Sequence, residues 1–359
     1  MANTTFPIHK LFRVYETLDQ FDAEASHPEN KICFIKDKRI IYANGVEYTN
    51  EQMYNDNITD DIKDAAKFKT VYNALLDELR NRNYMEIKLV PYIYWTGNSN
   101  TINISGTNYT AEPDKINIDG VEYYQLKLNK DLDNNFYQFI NNTFSNLIFK
   151  DVDTSNVTNM NQMFSGCSTL TSLDASGFDT SNVTDMYYMF NNCRALTFLD
   201  VSGWNTGNVT NMLAMFQNCS SLTSLNVSGF DTSNVPNMTA MFYNCSSLTS
   251  LNVSGLNTSN VTNMTAMFYN CRALTFLDVS GWNTSNVTYM GGMFNNCGAL
   301  TSLDLSGWNI NNDTNMNGMF GNCSALKTIR MIGCSQTTID KIKAQLSTDG
   351  ITGCTIVTE

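Results

Sequence analysis

The sequence predicts an α+β chain, a solenoid of short parallel strands preceded by a small mixed α/β N-terminal region. Three observations predict it. Seven copies of Met-x-x-Met-Phe, starting at Met160, Met186, Met212, Met238, Met264, Met290 and Met316, recur every 26 residues. A fixed period in this range marks units that bury their apolar faces only by stacking on neighbours. Within each unit the apolar spacing changes from three and four apart to every second residue. Each unit then ends in Asn, Ser, Thr and Gly, the residues of a turn repeated in every coil.

Residues 183–208 show how one coil is built. Val183, Met186, Met189, Phe190 and Cys193 are spaced as one buried stripe of a short helix. Leu199 and Val201 then alternate with Phe198, Asp200 and Ser202, so a short strand follows with Leu and Val pointing inward. Gly203 and Asn205 to Asn208 close the coil as a turn. The column of Thr184 holds Thr158, Thr210, Pro236, Thr262, Thr288 and Thr314 in the other copies. Proline lacks an N–H and suits the first turn of a helix, so Pro236 supports starting the helix there. Strands of successive coils are expected to pair in parallel about 4.8 Å apart.

With MF-x-N-C-x-x-L upstream of Leu196-x-x-Leu199-x-Val201, the array resembles the BspA-like leucine-rich repeat surface proteins of bacteria. The likeness recurs in register in nearly every copy from about 144 to 332. It implies a leucine-rich-repeat-type solenoid and an adhesive role. Where the usual leucine-rich repeat carries an Asn after the strand, this chain has Phe178, Trp204, Phe230, Leu256, Trp282 and Trp308, so an aromatic stack replaces an asparagine ladder.

The predicted organisation is an N-terminal arm and β-hairpin docking module (1–57), an amphipathic helix (58–83), a small antiparallel β domain (84–142), the solenoid (143–334) and a C-terminal cap (335–359). Residues 9–22 are expected as a short helix or extended arm. Ile32 to Ile35, Arg39 to Tyr42 and Val46 to Tyr48 are expected as three strands, with Asn44-Gly45 as a type I′ turn. This hairpin resembles a small module near the ends of gut bacteriophage fibre and tail proteins. Ile62, Ala65, Phe68, Tyr72, Leu75, Leu76 and Leu79 form the stripe of a helix over Thr59–Arg80. Residues 84–95, 100–110 and 115–128 alternate in the strand period, with Asp119-Gly120 as a hairpin turn. A helix over Asp131–Asn142 is expected to lay Phe136, Phe139 and Ile140 on the first coil, and 143–150 to be an opening strand. At the far end, TTIDKIKAQL is expected as a capping helix and GITGCTIVT as a last strand.

Net charge is −12, of which −5 falls in residues 1–150 and −7 in the rest. Between Asp151 and Leu326 the only basic side chains are Arg194 and Arg272, too few to neutralise a phosphate backbone, which makes nucleic acid and anionic membrane poor partners. No apolar run is long enough to span a membrane, and the start of the chain carries no apolar signal region. Seven of the ten cysteines occupy one inward column, Cys167, Cys193, Cys219, Cys245, Cys271, Cys297 and Cys323, and are expected as small buried hydrophobes. Neither a disulfide framework nor a zinc site fits their spacing, while Cys334 and Cys354 at the cap are expected as free thiols, with a bridge between them as the alternative. Many Asn-x-Thr/Ser sequences, Asn182, Asn208, Asn260 and Asn286 among them, fall in one column.

No catalytic constellation is present, since His9 and His27 are the only histidines and no Gly-x-Ser-x-Gly or phosphate-binding loop occurs. The chain is therefore expected not to be an enzyme and to need no cofactor or metal. A third reading keeps an activity in the β domain at 84–128. The candidate ligand-binding residues are Phe198, Asp200, Asn226, Asn252, Phe276 and Asp278 on the open strand face. An aromatic beside a short polar group is a platform for a sugar ring or a protein side chain. Residues 193–206 and 271–284 are the same fourteen residues, CRALTFLDVSGWNT, an identity beyond what packing demands. The expected role is a bacteriophage virion fibre or appendage, a homo-oligomer docked on other virion proteins through its N-terminal region and binding a host surface glycan or protein. The alternative is a BspA-like adhesin on a bacterial cell surface.

Overall fold

The computed structural model describes residues 91–128, 132–134, 138–150 and 152–359, together with the backbone of four strands nearer the N-terminus. The chain divides into two units, Met1–Leu89 and Val90–Glu359. In the first, β1 (Phe12–Tyr15), β2 (Ile32–Ile35), β3 (Ile40–Ala43) and β4 (Val46–Tyr48) form one sheet in that order. Ala43 lies opposite Val46, so two residues connect β3 to β4, as the Asn-Gly pair predicts. β1 pairs in parallel with β2, which resolves part of the 9–22 arm as strand. The helix expected over Thr59–Arg80 and the two histidines lie outside the described residues.

The second unit opens with β5 (Tyr92–Gly97), β6 (Thr101–Ile104), β7 (Thr107–Thr110), β8 (Ile116–Ile118) and β9 (Val121–Lys127). Asp119 and Gly120 both have positive φ, the pair a type I′ turn demands between β8 and β9. Ser105 and Gly106 make the same kind of turn between β6 and β7. β10 (Phe144–Lys150) pairs antiparallel with β5 on one side and parallel with β11 (Ser172–Asp174) on the other. One sheet, ordered β11-β10-β5-β9-β8, therefore runs from the small antiparallel region into the solenoid. Ile93, Trp95, Leu126 and Leu147 are buried along it and close the first coil against solvent.

The coils follow with β12 (Ser224–Asn226), β13 (Ser250–Asn252), β14 (Phe276–Asp278), β15 (Ser302–Asp304) and β16 (Thr328–Arg330), parallel and in register wherever they pair. The solenoid with parallel strands is what the repeat predicts. The helix expected on the other wall is not formed, and turns take its place. In the 183–208 coil, Met186, Tyr188, Phe190 and Asn192 donate their N–H groups to Asn211, Leu213, Met215 and Gln217 of the next coil at 2.8–3.1 Å. Met189, Asn191 and Cys193 instead bond three residues back within the coil. Tyr188 and Asn192 have φ of 54° and 63°, a left-handed backbone that no α-helix admits. Two tight turns bring every third or fourth side chain inward just as a helix does, which is why the stripe misleads.

Pro236 takes on a different meaning in this wall. Its column mates Thr184, Thr210 and Thr288 each donate an N–H to the coil before, at 2.8–2.9 Å. Parallel bridges join positions 159, 185 and 211, and then 237, 263, 289 and 315. The break between 211 and 237 falls where proline has no proton to give.

The interior is a set of ladders. Phe164 to Phe320 stack with ring centroids 5.5–6.0 Å apart and planes within 14° of parallel. Phe139 heads this stack, 5.8 Å from Phe164, with its N–H on Met163 as in later coils. Residues 138–142 therefore belong to a degenerate first coil and not to the helix expected there. The seven column cysteines are buried and free, and each thiol donates to a phenylalanine carbonyl of the preceding coil at 2.9–3.3 Å. Cys334 and Cys354 are also free.

Buried Thr180, Thr206, Thr232, Thr258 and Thr284 donate to backbone carbonyls of the following coil at 2.9–3.0 Å. Asn192, Asn218, Asn244, Asn270 and Asn296 link side chain to side chain, so an asparagine ladder exists beside the aromatic stack. Asn182, Asn208, Asn260 and Asn286, the Asn-x-Thr/Ser residues, spend their amide N–H on Ser carbonyls of the preceding coil at 2.6–2.8 Å.

The predicted cap is present. Helix α1 (Gln336–Thr348) begins at Ser335, whose hydroxyl accepts the Thr338 N–H, and it buries Ile339, Ile342 and Leu346. At its end Asp349 accepts the N–H of Phe320 at 2.8 Å. β17 (Thr355–Val357) then adds in parallel to β16.

Candidate ligand-binding face

The strand wall turns Leu199, Leu225, Leu277 and Leu303 inward, so the residues on either side of each face solvent. Phe198 is 64 % exposed and Phe276 54 % exposed, both where most other coils carry Ser. Asp200, Asn226, Asn252 and Asp278 are exposed two residues further on. All six candidate residues thus lie on one wall, spread over four successive coils. Phe198 and Phe276 sit three coils apart, roughly 14 Å at strand spacing.

The short polar residues are held by their own turns. Oδ1 of Asp200, Asn226, Asn252 and Asp278 accepts the backbone N–H of the residue two positions on, at 2.9–3.2 Å. The backbone N–H and hydroxyl of Ser202 hold the Asp200 carboxyl below its ordinary range. At the end of the row Asp304 pairs with Arg330 at 3.1 Å. Each side chain keeps its second oxygen or its amide free of that turn bond, so the row can still meet a ligand. A cation between neighbouring carboxylates has little to hold it, and no group of three or more His, Cys, Asp or Glu converges among the described residues.

Side-chain alternation does not reveal the aromatic residues of the opposite wall. Tyr289 is 53 % exposed, Tyr243 and Tyr269 stack at 4.9 Å, and Tyr187 and Tyr188 at 4.1 Å. Their signal was a tyrosine standing in columns that the other copies fill mainly with Asn, Thr, Ala or Gly. Arg194 and Arg272, both exposed, each bond the Oδ1 of the ladder asparagine two residues before. A cleft of about 530 Å³ at the cap, lined by Lys343, Leu346, Ile351, Cys354 and Ile356, contains none of the candidate residues.

The column thiols offer no nucleophile. Burial pushes Cys167, Cys245 and Cys323 up to about 12 and the others in the same direction, so all stay protonated at neutral pH.

A family model described as "Mycoplasma protein of unknown function, DUF285" matches residues 130–250 and 223–332, which together cover more than half of the chain. No curated protein matches it. No helix among the described residues is long and apolar enough to cross a membrane. A repeat solenoid with this family match suggests a binding or surface protein.

Proposed function

This chain belongs to the DUF285 family, and from that membership and its open strand wall we propose a non-enzymatic protein that binds a glycan or protein on a host surface. The repeats and the solenoid fit a BspA-like repeat protein. The single observation carrying the reading is the exposure of Phe198 and Phe276 on a wall of otherwise short polar side chains. A large apolar ring held in water on a rigid scaffold is a ready contact for a partner.

The setting we favour is a bacteriophage virion, with residues 1–142 docking on other virion proteins as a homo-oligomer and the solenoid meeting the host. Its support is the three-stranded antiparallel stretch β2-β3-β4 with the fibre-like Asn-Gly connection. The family description, which names Mycoplasma, favours a second reading, an adhesin on a bacterial cell surface. Detecting the protein in purified virions, against detecting it on intact bacteria by surface labelling, separates the two.

The binding reading is tested with the full chain carrying Phe198→Ala and Phe276→Ala. Attachment to host cells is expected to fall at least severalfold while the melting temperature holds, because exposed rings contribute little to the fold. Undiminished attachment would remove the strand wall as the binding face.

A further inference from the structure

The strand ladder is interrupted on the N-terminal side of both phenylalanine-bearing coils, and at the first of them on the C-terminal side as well. Residues 197–202 form no strand and no ladder with either β11 or β12, and β13 does not pair with β14, whereas β12-β13 and β14-β15-β16-β17 run without a gap. The buried indoles report the two openings on the N-terminal side independently. Trp308 Nε1 donates to the Val279 carbonyl at 2.9 Å. The equivalent bond from Trp282 to Val253 stretches to 3.4 Å, and Trp204, whose acceptor would be Ala175, has no partner for its buried N–H. Leu251 is half-buried and Leu173 is 9 % exposed, while Leu199, Leu225, Leu277 and Leu303 are more deeply covered. Each seam is thus bordered by an exposed phenylalanine, and the leucine beneath the second, Leu251, is partly uncovered.

Charge adds a third element. Arg194 and Arg272 are the only cations between Asp151 and Leu326, and each stands four residues before its phenylalanine, no more than about 14 Å away along the chain. Neither forms an ion pair among the described residues. The guanidinium is steadied on one side by Asn192 or Asn270 and leaves its remaining N–H groups to solvent.

We propose that the two seams are equivalent binding points that together hold one linear, repeating, negatively charged polysaccharide. The proposal rests on the strand wall being the binding face and names the ligand class for it. From 193 to 206 and from 271 to 284 the two points carry the same side chains in the same order, related by translation along the solenoid axis, while the strand before each differs by Asp174 against Asn252. A polymer that repeats its chemistry along a line matches that relation, and a folded protein surface does not. The phenylalanine ring takes the apolar face of a sugar, the strand-edge N–H and C=O groups freed at the seam meet hydroxyls, and the arginine meets the acidic substituent.

The test measures binding of the full chain to polygalacturonate, hyaluronate and polysialic acid, with dextran, starch and polyglutamate alongside, and then to size-fractionated oligomers of whichever acidic polymer binds. At least one acidic polysaccharide is expected to bind and the neutral ones not. Oligomers too short to reach both seams are expected to bind at least about tenfold more weakly, because linked sites raise the effective concentration of the second contact. Phe198→Ala alone should bring long chains down to the short-chain affinity, and Arg194→Gln with Arg272→Gln should abolish the preference for acidic over neutral chains. Failure of every acidic polysaccharide, equal affinity of short and long oligomers, or equal binding of neutral polymers overturns the inference. Preferential capture of polyglutamate would make the seams peptide sites and overturn it also. If host attachment still depends on Phe198 and Phe276 while these arms fail, the binding face stands and only the ligand class falls.

Discussion

The Cys193 thiol donates a hydrogen bond to the carbonyl of Phe164, 3.1 Å away, and that carbonyl also accepts the N–H of Cys167 at 3.1 Å. The cysteine column therefore satisfies the second lone pair of the phenylalanine carbonyls from Phe164 to Phe294, besides filling space. Cys193→Ala is expected to destabilise the protein by about 1–3 kcal/mol, through the lost donor and a small cavity. Denaturant unfolding checks this, and a change near zero would reduce the thiol to filler.

Alkaline conditions should weaken the fold. The column thiols are held protonated up to about 12 or beyond, whereas in the unfolded chain they ionise near 9. Folded-state values raised above unfolded ones mean that this contribution is complete below pH 9 and is lost as pH climbs above it. The loss approaches about 1.4 kcal/mol per pH unit for each thiol. Melting temperatures between pH 7 and 10.5 should fall steeply above 9, and less steeply in Cys219→Ala.

Gly255 and Gly281 occupy the same turn, yet differ in what surrounds them. A Cβ at Gly255 would lie 1.8 Å from the Ser228 carbonyl oxygen, while one at Gly281 meets nothing within 4 Å. Gly255→Ala is expected to destabilise by roughly 2 kcal/mol or more, since backbone must move. Gly281→Ala should leave thermal unfolding unchanged, and equal effects at the two positions would contradict the close approach.

Pro236→Thr should supply the proton missing between positions 211 and 237. The new amide at 236 is expected to be protected from hydrogen exchange to the level of Thr210 and Thr262. Net stability should shift by less than about 1 kcal/mol, because the gained bond and the lost rigidity of proline are of similar size. A freely exchanging amide there would show that something besides proline breaks the ladder.

How far these features were readable depends on whether side chains or backbone carry them. The inward placement of Leu199 and Val201, the Asp119-Gly120 turn and the apolar side of α1 were legible because period and turn chemistry are written in residue types, although the strand expected at Leu199 and Val201 is not formed. The inner wall was misjudged because Met186, Met189, Phe190 and Cys193 face inward in a helix and in a pair of turns alike. The decisive clue was the asparagine at 192, 218, 244, 270, 296 and 322, a residue that tolerates positive φ and here adopts it in every case. At Tyr188, Ala214, Ala240 and Ala266 the same backbone carries residues that give no such hint. The exposure of Phe198 and Phe276 followed from simple alternation. The seams beside them did not, because the separation of two neighbouring strands leaves no mark in the residue types of either one.

The fourteen residues shared by 193–206 and 271–284 have a genetic consequence. Their coding segments, if as alike as their products, invite unequal exchange, and a crossover between them would excise three whole turns without disturbing the frame or either end. The shortened product would keep a single aromatic grip and a single arginine. One recombination event would thus convert a two-handed hold into a one-handed one, letting a population of genes sample strong and weak attachment without any new side chain having to evolve.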